Sequence, residues 1–126
     1  IQATLSESDR RLHDKGFCGH SSLRGVSSAM SNSWNQIIVN LLREIYTNIE
    51  RYADKSEYSV IVTFSNNAVD IVQVNKCRQK SRRCVTLGAR KGLSIYSRLI
   101  SRQGGFIRYE KDGEEWSFYC MLPLLT

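Results

Sequence analysis

The stretch "LLREIYTNIERYAD" at residues 41–54 is written as a helix. With Ile38 before them, Leu41, Leu42, Ile45, Ile49 and Tyr52 fall at i, i+3, i+4, i+7, i+11 and i+14, the spacing that gathers apolar side chains on one helix face. At about 100° per residue, Glu44 and Asn48 then lie one turn apart on a flank of that stripe, at the border between core and solvent. Asparagine is a mediocre helix former. A carboxylate and an amide held side by side there suit the lining of a pocket.

Outward from this helix, which the pattern starts at Asn35, the chain alternates its periods. "EYSVIVTF" and "AVDIVQV" are β-branched runs separated by "SNN", and they are predicted to pair as an antiparallel hairpin. "GLSIYSRLISRQGG" at 92–105 reads as a helix of about three turns, with Gly92 at its start, a stripe of Leu93, Tyr96, Leu99 and Ile100, and Gly104 as its C-terminal cap. "FIRYE" and "EEWSFYCML" flank a turn at "KDG", where Asp112 and Gly113 favour a tight hairpin. Residues 1–34 are rich in Ser and Gly with poor periodicity. They are expected to hold an edge strand at Ile1–Leu5, an irregular connection and a helical turn. The order strand, helix, hairpin, helix, hairpin predicts an α+β fold: a two-layer sandwich with a mixed, mostly antiparallel sheet and its helices on one face.

Length and composition bound the rest. A chain of 126 residues with 41% hydrophobic residues and a single proline suits one compact domain over 1–126. It begins with Ile1 and has no run near the ~20 apolar residues of a membrane span, so it reads as a soluble piece of something longer, with no membrane contact of its own. Cys18, Cys77, Cys84 and Cys120 form no C-x-x-C pair and follow no secretory leader, which predicts reduced thiols in a cytosolic compartment. "CGH" at 18–20 lacks a second cluster of metal-ligand spacing. The net charge of +6 is concentrated in "RQKSRR" at 78–83 and in Arg90 and Lys91. No aromatic residues interleave with these cations, so a nucleic-acid partner is not expected.

The ordered set of motifs resembles a known family. "LLREIYTNIERYAD" resembles the N box of the GHKL superfamily of Bergerat-fold ATP-binding domains. The likeness continues through a hairpin ending at "VDIVQVN", a polar lid-like segment, "GARKGLSIYSRLISRQGGFI" at the place of the second glycine box, and a last strand closing on "WSFYCMLPL". It spans roughly residues 35–126. The helix directly after a glycine box, the "GG" turn and the "LP" ending are most similar to the catalytic domains of bacterial two-component sensor histidine kinases.

Carried over residue by residue, the resemblance implies ATP and Mg2+ as cofactors. It makes Asn48 the metal ligand through its amide oxygen, and Glu44 the catalytic carboxylate that orients or polarises the attacking group. Arg51 and Tyr52 stand where phosphate or ribose contacts are made. Gly88, Lys91, Gly92 and Leu93 cover the second glycine box, where helix-terminal N–H groups approach phosphate. It further implies a histidine-containing dimerisation domain and a response regulator as partners, and a place in the cytosolic part of a membrane-anchored sensor kinase.

The departures are specific. Where the first glycine box has an Asp that accepts the adenine amino proton, the aligned residues are Val74, Asn75 and Lys76, leaving Asn75 as a partial substitute. Arg90 replaces a glycine two before Gly92. The short lid carries Arg78, Lys80, Arg82 and Arg83, either clamping phosphates or solvated. "RLHD" at 11–14 imitates the context of a phosphoacceptor histidine, but His13 lies too close to Glu44 for the intervening helical hairpin, and is expected to be a surface residue. The alternatives are a degenerate GHKL module that serves as an interaction domain, and an anti-sigma-factor-like serine kinase.

Overall fold

The computed structural model describes residues 1–25, 30–65, 67–78 and 87–124, with side chains in the last segment described from Leu93 onward. Its elements are α1 (Gln2–Asp14), β1 (Cys18–Arg24), α2 (Asn32–Tyr52), β2 (Ala53–Phe64), β3 (Ala68–Cys77), α3 (Leu87–Arg102), β4 (Phe106–Asp112) and β5 (Glu115–Pro123). The five strands form one sheet in the order β1-β2-β3-β5-β4, with β1 parallel to β2 and every other pair antiparallel. This is the predicted α+β two-layer arrangement with a mixed, mostly antiparallel sheet.

Each central strand alternates buried and partly exposed residues, as a sheet covered on one face requires. Val60 and Val62 of β2, Val69 and Ile71 of β3, and Phe118 and Cys120 of β5 point inward. They form one core with Ile38, Leu41, Leu42, Ile45 and Ile49 of α2, Leu5 and Leu12 of α1, and Leu93 and Ile100 of α3. Helix α2 starts three residues before the predicted Asn35, because the Ser31 side chain caps it by accepting the Trp34 N–H. Gly104 takes φ +87 just past α3 and Gly113 takes φ +62 in the last hairpin, as expected of both turns.

The N-terminal third departs from expectation. Ile1–Leu5 is not a strand: Gln2–Asp14 forms α1, and the edge strand is Cys18–Arg24. Only Thr4, Leu5 and Leu12 of α1 are buried. The helix is fastened instead through Asp9, whose carboxylate accepts hydrogen bonds from Tyr46 (2.8 Å), Tyr58 (2.6 Å) and Ser21. Glu50 of α2 accepts from Arg11 at 2.9 Å and pairs with Lys15. The Lys15 hydrogen bond, with Arg11 adding, holds the Glu50 carboxyl below its ordinary pKa. His13 is exposed, with Nε2 against the Gly19 carbonyl at 2.6 Å.

The cysteines also differ from the reduced set expected. Cys77 is disulfide-bonded at the end of β3, whereas Cys18 and Cys120 are free. Burial pushes the Cys120 thiol up to about 12, so it stays protonated and unreactive. Among the described residues, no helix is long and apolar enough to cross a membrane.

Candidate functional site

Helix α2 runs directly into β2, and its last turn is stitched to the end of β3. Ala53 pairs with Cys77, and Arg78 N–H donates to the Tyr52 carbonyl at 3.0 Å. The Arg78 side chain adds two bonds, from Nε to the Ala53 carbonyl (3.1 Å) and from Nη2 to the Glu50 carbonyl (3.0 Å). These are carbonyls that a helix end leaves unpaired, and a cation there also meets the negative end of the helix dipole. Arg78 is therefore a cap on α2. Lys80, Arg82 and Arg83 lie outside the described residues. Replacing Arg78 with Ala is expected to lower stability by about 1–2 kcal/mol, measured by urea unfolding.

This seam brings Asn48, one turn before Tyr52, and Asn75, two residues before Cys77, to the same end of the helix–sheet layer. Asn48 is more buried than its flanking position suggests, at 8% exposure. It belongs to the buried face itself, between Ile45 and Ile49. Its Oδ1 is the one buried side-chain oxygen or nitrogen among the described residues with no hydrogen-bond partner. Glu44, one turn earlier, is half-buried. Burial, and then the charge of Glu44, raises the pKa of the Tyr96 phenol of α3.

An orphaned amide oxygen is costly unless something occupies it, and a hard cation is a fitting occupant. No group of three His, Cys, Asp or Glu side chains among the described residues could hold a metal. The orphaned oxygen of Asn48 fits such an ion, and Asn48 is the residue that would hold it.

On β3 the inward side chains are Val69, Ile71, Gln73, Asn75 and Cys77. Val74 points to the opposite face of the sheet from Gln73 and Asn75. A one-residue shift on a strand exchanges faces, and the residues facing the helices are Gln73 and Asn75. They form a chain: Trp116 Nε1 donates to Gln73 Oε1 at 3.1 Å, Gln73 Nε2 donates to Asn75 Oδ1, and Asn75 Nδ2 donates to the Lys76 carbonyl at 2.9 Å. Gln73 and Trp116 were not singled out from the sequence. The alternation Val69, Ile71, Gln73, Asn75 carried the signal, since two amides stand where buried apolar residues continue the pattern.

The other expected residues are placed less favourably. Arg51 is exposed, and Tyr52 is half-buried against the core. Leu93 is 1% exposed and packs in the core. Helix α3 begins at Leu87, so Gly88 lies in its first turn and Gly92 in its second, not at its start. The Lys91 side chain lies outside the described residues.

No protein-family model matches the sequence, and no curated protein matches it. Solved structures do. The chain superposes on the Acinetobacter baumannii histidine kinase AdeS with a TM-score of 0.70 at 14% identity, covering 99% of this chain and 63% of AdeS. It thus spans less than two thirds of that protein's length. Two nucleotide-free forms of the catalytic domain of histidine kinase ThkA give TM-scores of 0.70 at 13% and 12% identity, each covering 98% of this chain, with 90% and 92% of the ThkA domain matched. From α1 to β5, this chain has the fold of a histidine kinase catalytic domain.

Proposed function

We propose that the domain binds ATP with Mg2+ at the α2–β3 seam and supplies the γ-phosphoryl group to a histidine on a separate dimerisation domain, in two-component signal transduction. The observation that carries this is the unpartnered Oδ1 of Asn48, buried in the helix of a fold shared with histidine kinase catalytic domains. Asn48 would hold the ion through its Oδ1, and the ion would neutralise charge on the phosphates. Glu44, half-buried one turn away, orients the incoming imidazole and takes up its proton. Arg51 and Tyr52 border the phosphates. Gly88, in the first turn of α3, contributes a backbone contact to the same groups, and Lys91 a cationic one. In this proposal the parent protein is a membrane-anchored sensor kinase with this domain in the cytosol and a response regulator downstream.

A second reading is favoured by the absence of a carboxylate among the inward residues of β3: a module that binds nucleotide weakly and serves in signalling without efficient transfer. Calorimetric titration with a non-hydrolysable ATP analogue and Mg2+ tests both. Magnesium-dependent heat, lost in Asn48→Asp, is the expected result. No heat at millimolar nucleotide would overturn the nucleotide-binding proposal.

A further inference from the structure

We infer that the domain self-associates through the open edge of β4, two copies pairing antiparallel about Tyr109 so that their sheets run on as one. The inference is independent of the nucleotide-binding proposal above.

Strand β4 ends the order β1-β2-β3-β5-β4 and is paired only with β5. Its other edge therefore carries unpaired backbone N–H and C=O groups, a template for a further strand. Space is open beside it. On the helix side, a groove between β4 and α3 is lined by Tyr109 together with Ser94, Ser97, Arg98, Ser101 and Arg102, so short serines make up much of the flank that α3 presents there. Both Arg108 and Glu110 are exposed, and among the described residues neither has an ion-pair partner within the chain. The Arg108 guanidinium lies instead over the Phe106 ring, 4.8 Å from its centre.

The sequence of the strand, FIRYEKD, specifies what fits this edge. Two copies related by a twofold axis normal to the sheet keep each side chain on its own face, so outward residues oppose outward residues. With the axis at Tyr109, the middle of Phe106–Asp112, all seven residues of the strand are paired. Arg108 then opposes Glu110 of the second copy, and by symmetry Glu110 opposes Arg108 of that copy. Ile107 meets the aliphatic stem of Lys111, and Phe106 meets Asp112. Moving the axis one residue either way sets Arg108 against Arg108 or Glu110 against Glu110, and like charges directly opposite are destabilising. The register that matches charge is thus also the one of greatest overlap. Charges on an edge strand ordinarily turn other strands away; here they are ordered to attract a copy of the same strand. The other edge offers no such match, since Arg24 is the single Lys, Arg, Asp or Glu in β1. An interface of this symmetry uses the same patch on both copies and closes at two. One strand from each copy makes a small contact, so the dimer is a weak one, with a dissociation constant on the order of 0.1 mM.

Sedimentation of the wild-type chain from about 10 µM to about 1 mM in low salt is expected to show the monomer passing to a dimer. Arg108→Glu and Glu110→Arg, each checked for folding by circular dichroism, should each weaken self-association at least tenfold. An equimolar mixture of the two variants should dimerise at least as well as the wild type, because this register then sets two carboxylates of one chain against two guanidinium groups of the other. A wild-type chain that stays monomeric to about 1 mM overturns the inference. So does a dimer that either charge reversal leaves unchanged, or a mixture of folded variants that fails to associate.

Discussion

Asp9→Ala is expected to destabilise the domain by about 3–5 kcal/mol, read as a lower urea midpoint with an unchanged slope. The carboxylate is the common acceptor for Tyr46, Tyr58 and Ser21, which come from three different elements. Removing it leaves three hydroxyls short of a charged acceptor, each worth ~1–2 kcal/mol where burial is partial. The same network sets an alkaline limit. Burial first, and then hydrogen bonding to Asp9 and its charge, raise the pKa of both phenols far above the ordinary tyrosine value. A folded pKa above the unfolded one contributes stability that is present below about pH 10 and is lost as pH rises past it, because only the unfolded chain gives up its protons. Wild-type stability should therefore fall above about pH 10, and more shallowly in Asp9→Ala, whose phenols lose one of the causes of their shift.

Asn48→Leu is expected to move stability and binding in opposite directions. Leucine has a similar shape, suits the stripe between Ile45 and Ile49, and removes the orphaned oxygen, so unfolding should become harder by about 1–2 kcal/mol. Magnesium-dependent nucleotide affinity should fall by at least ~100-fold, since even the outer partners of metal ligands are worth 10–100-fold. Thermal unfolding and calorimetry on one sample read both effects. A merely structural Asn48 would give the reverse pattern, with lost stability and unchanged binding.

Much of this architecture was legible because apolar periodicity wrote it. Helix α2, the β2–β3 hairpin and the β4–β5 hairpin follow from stripes and turn residues. Helix α1 was not legible, since its decisive contact is a carboxylate meeting tyrosines far along the chain, and no local pattern reports that. Strand β1 was hidden for a different reason: its Gly19 reads as loop, yet a Cβ there would stand 2.2 Å from the Tyr58 ring. The glycine is a packing requirement of the sheet. The start of α3 was misplaced because Gly92 looks like a boundary, although the helix runs through it from Leu87. At the site, Glu44 and Asn48 could be named from spacing and resemblance. The burial of Asn48 and the face of Val74 needed the register of the sheet.

The parallel pairing of β1 with β2 has a kinetic side. The two hairpins join neighbours in the chain, whereas Cys18 reaches Glu57 only after the whole of α2 has been laid down between them. Closing that loop carries the larger entropic penalty, so the hairpins and α2 assemble early and the α1–β1 segment docks late. In this order the seam holding Asn48 and Asn75 forms before the edge strand arrives, and slow opening of that edge can exchange amide protons without dismantling the seam.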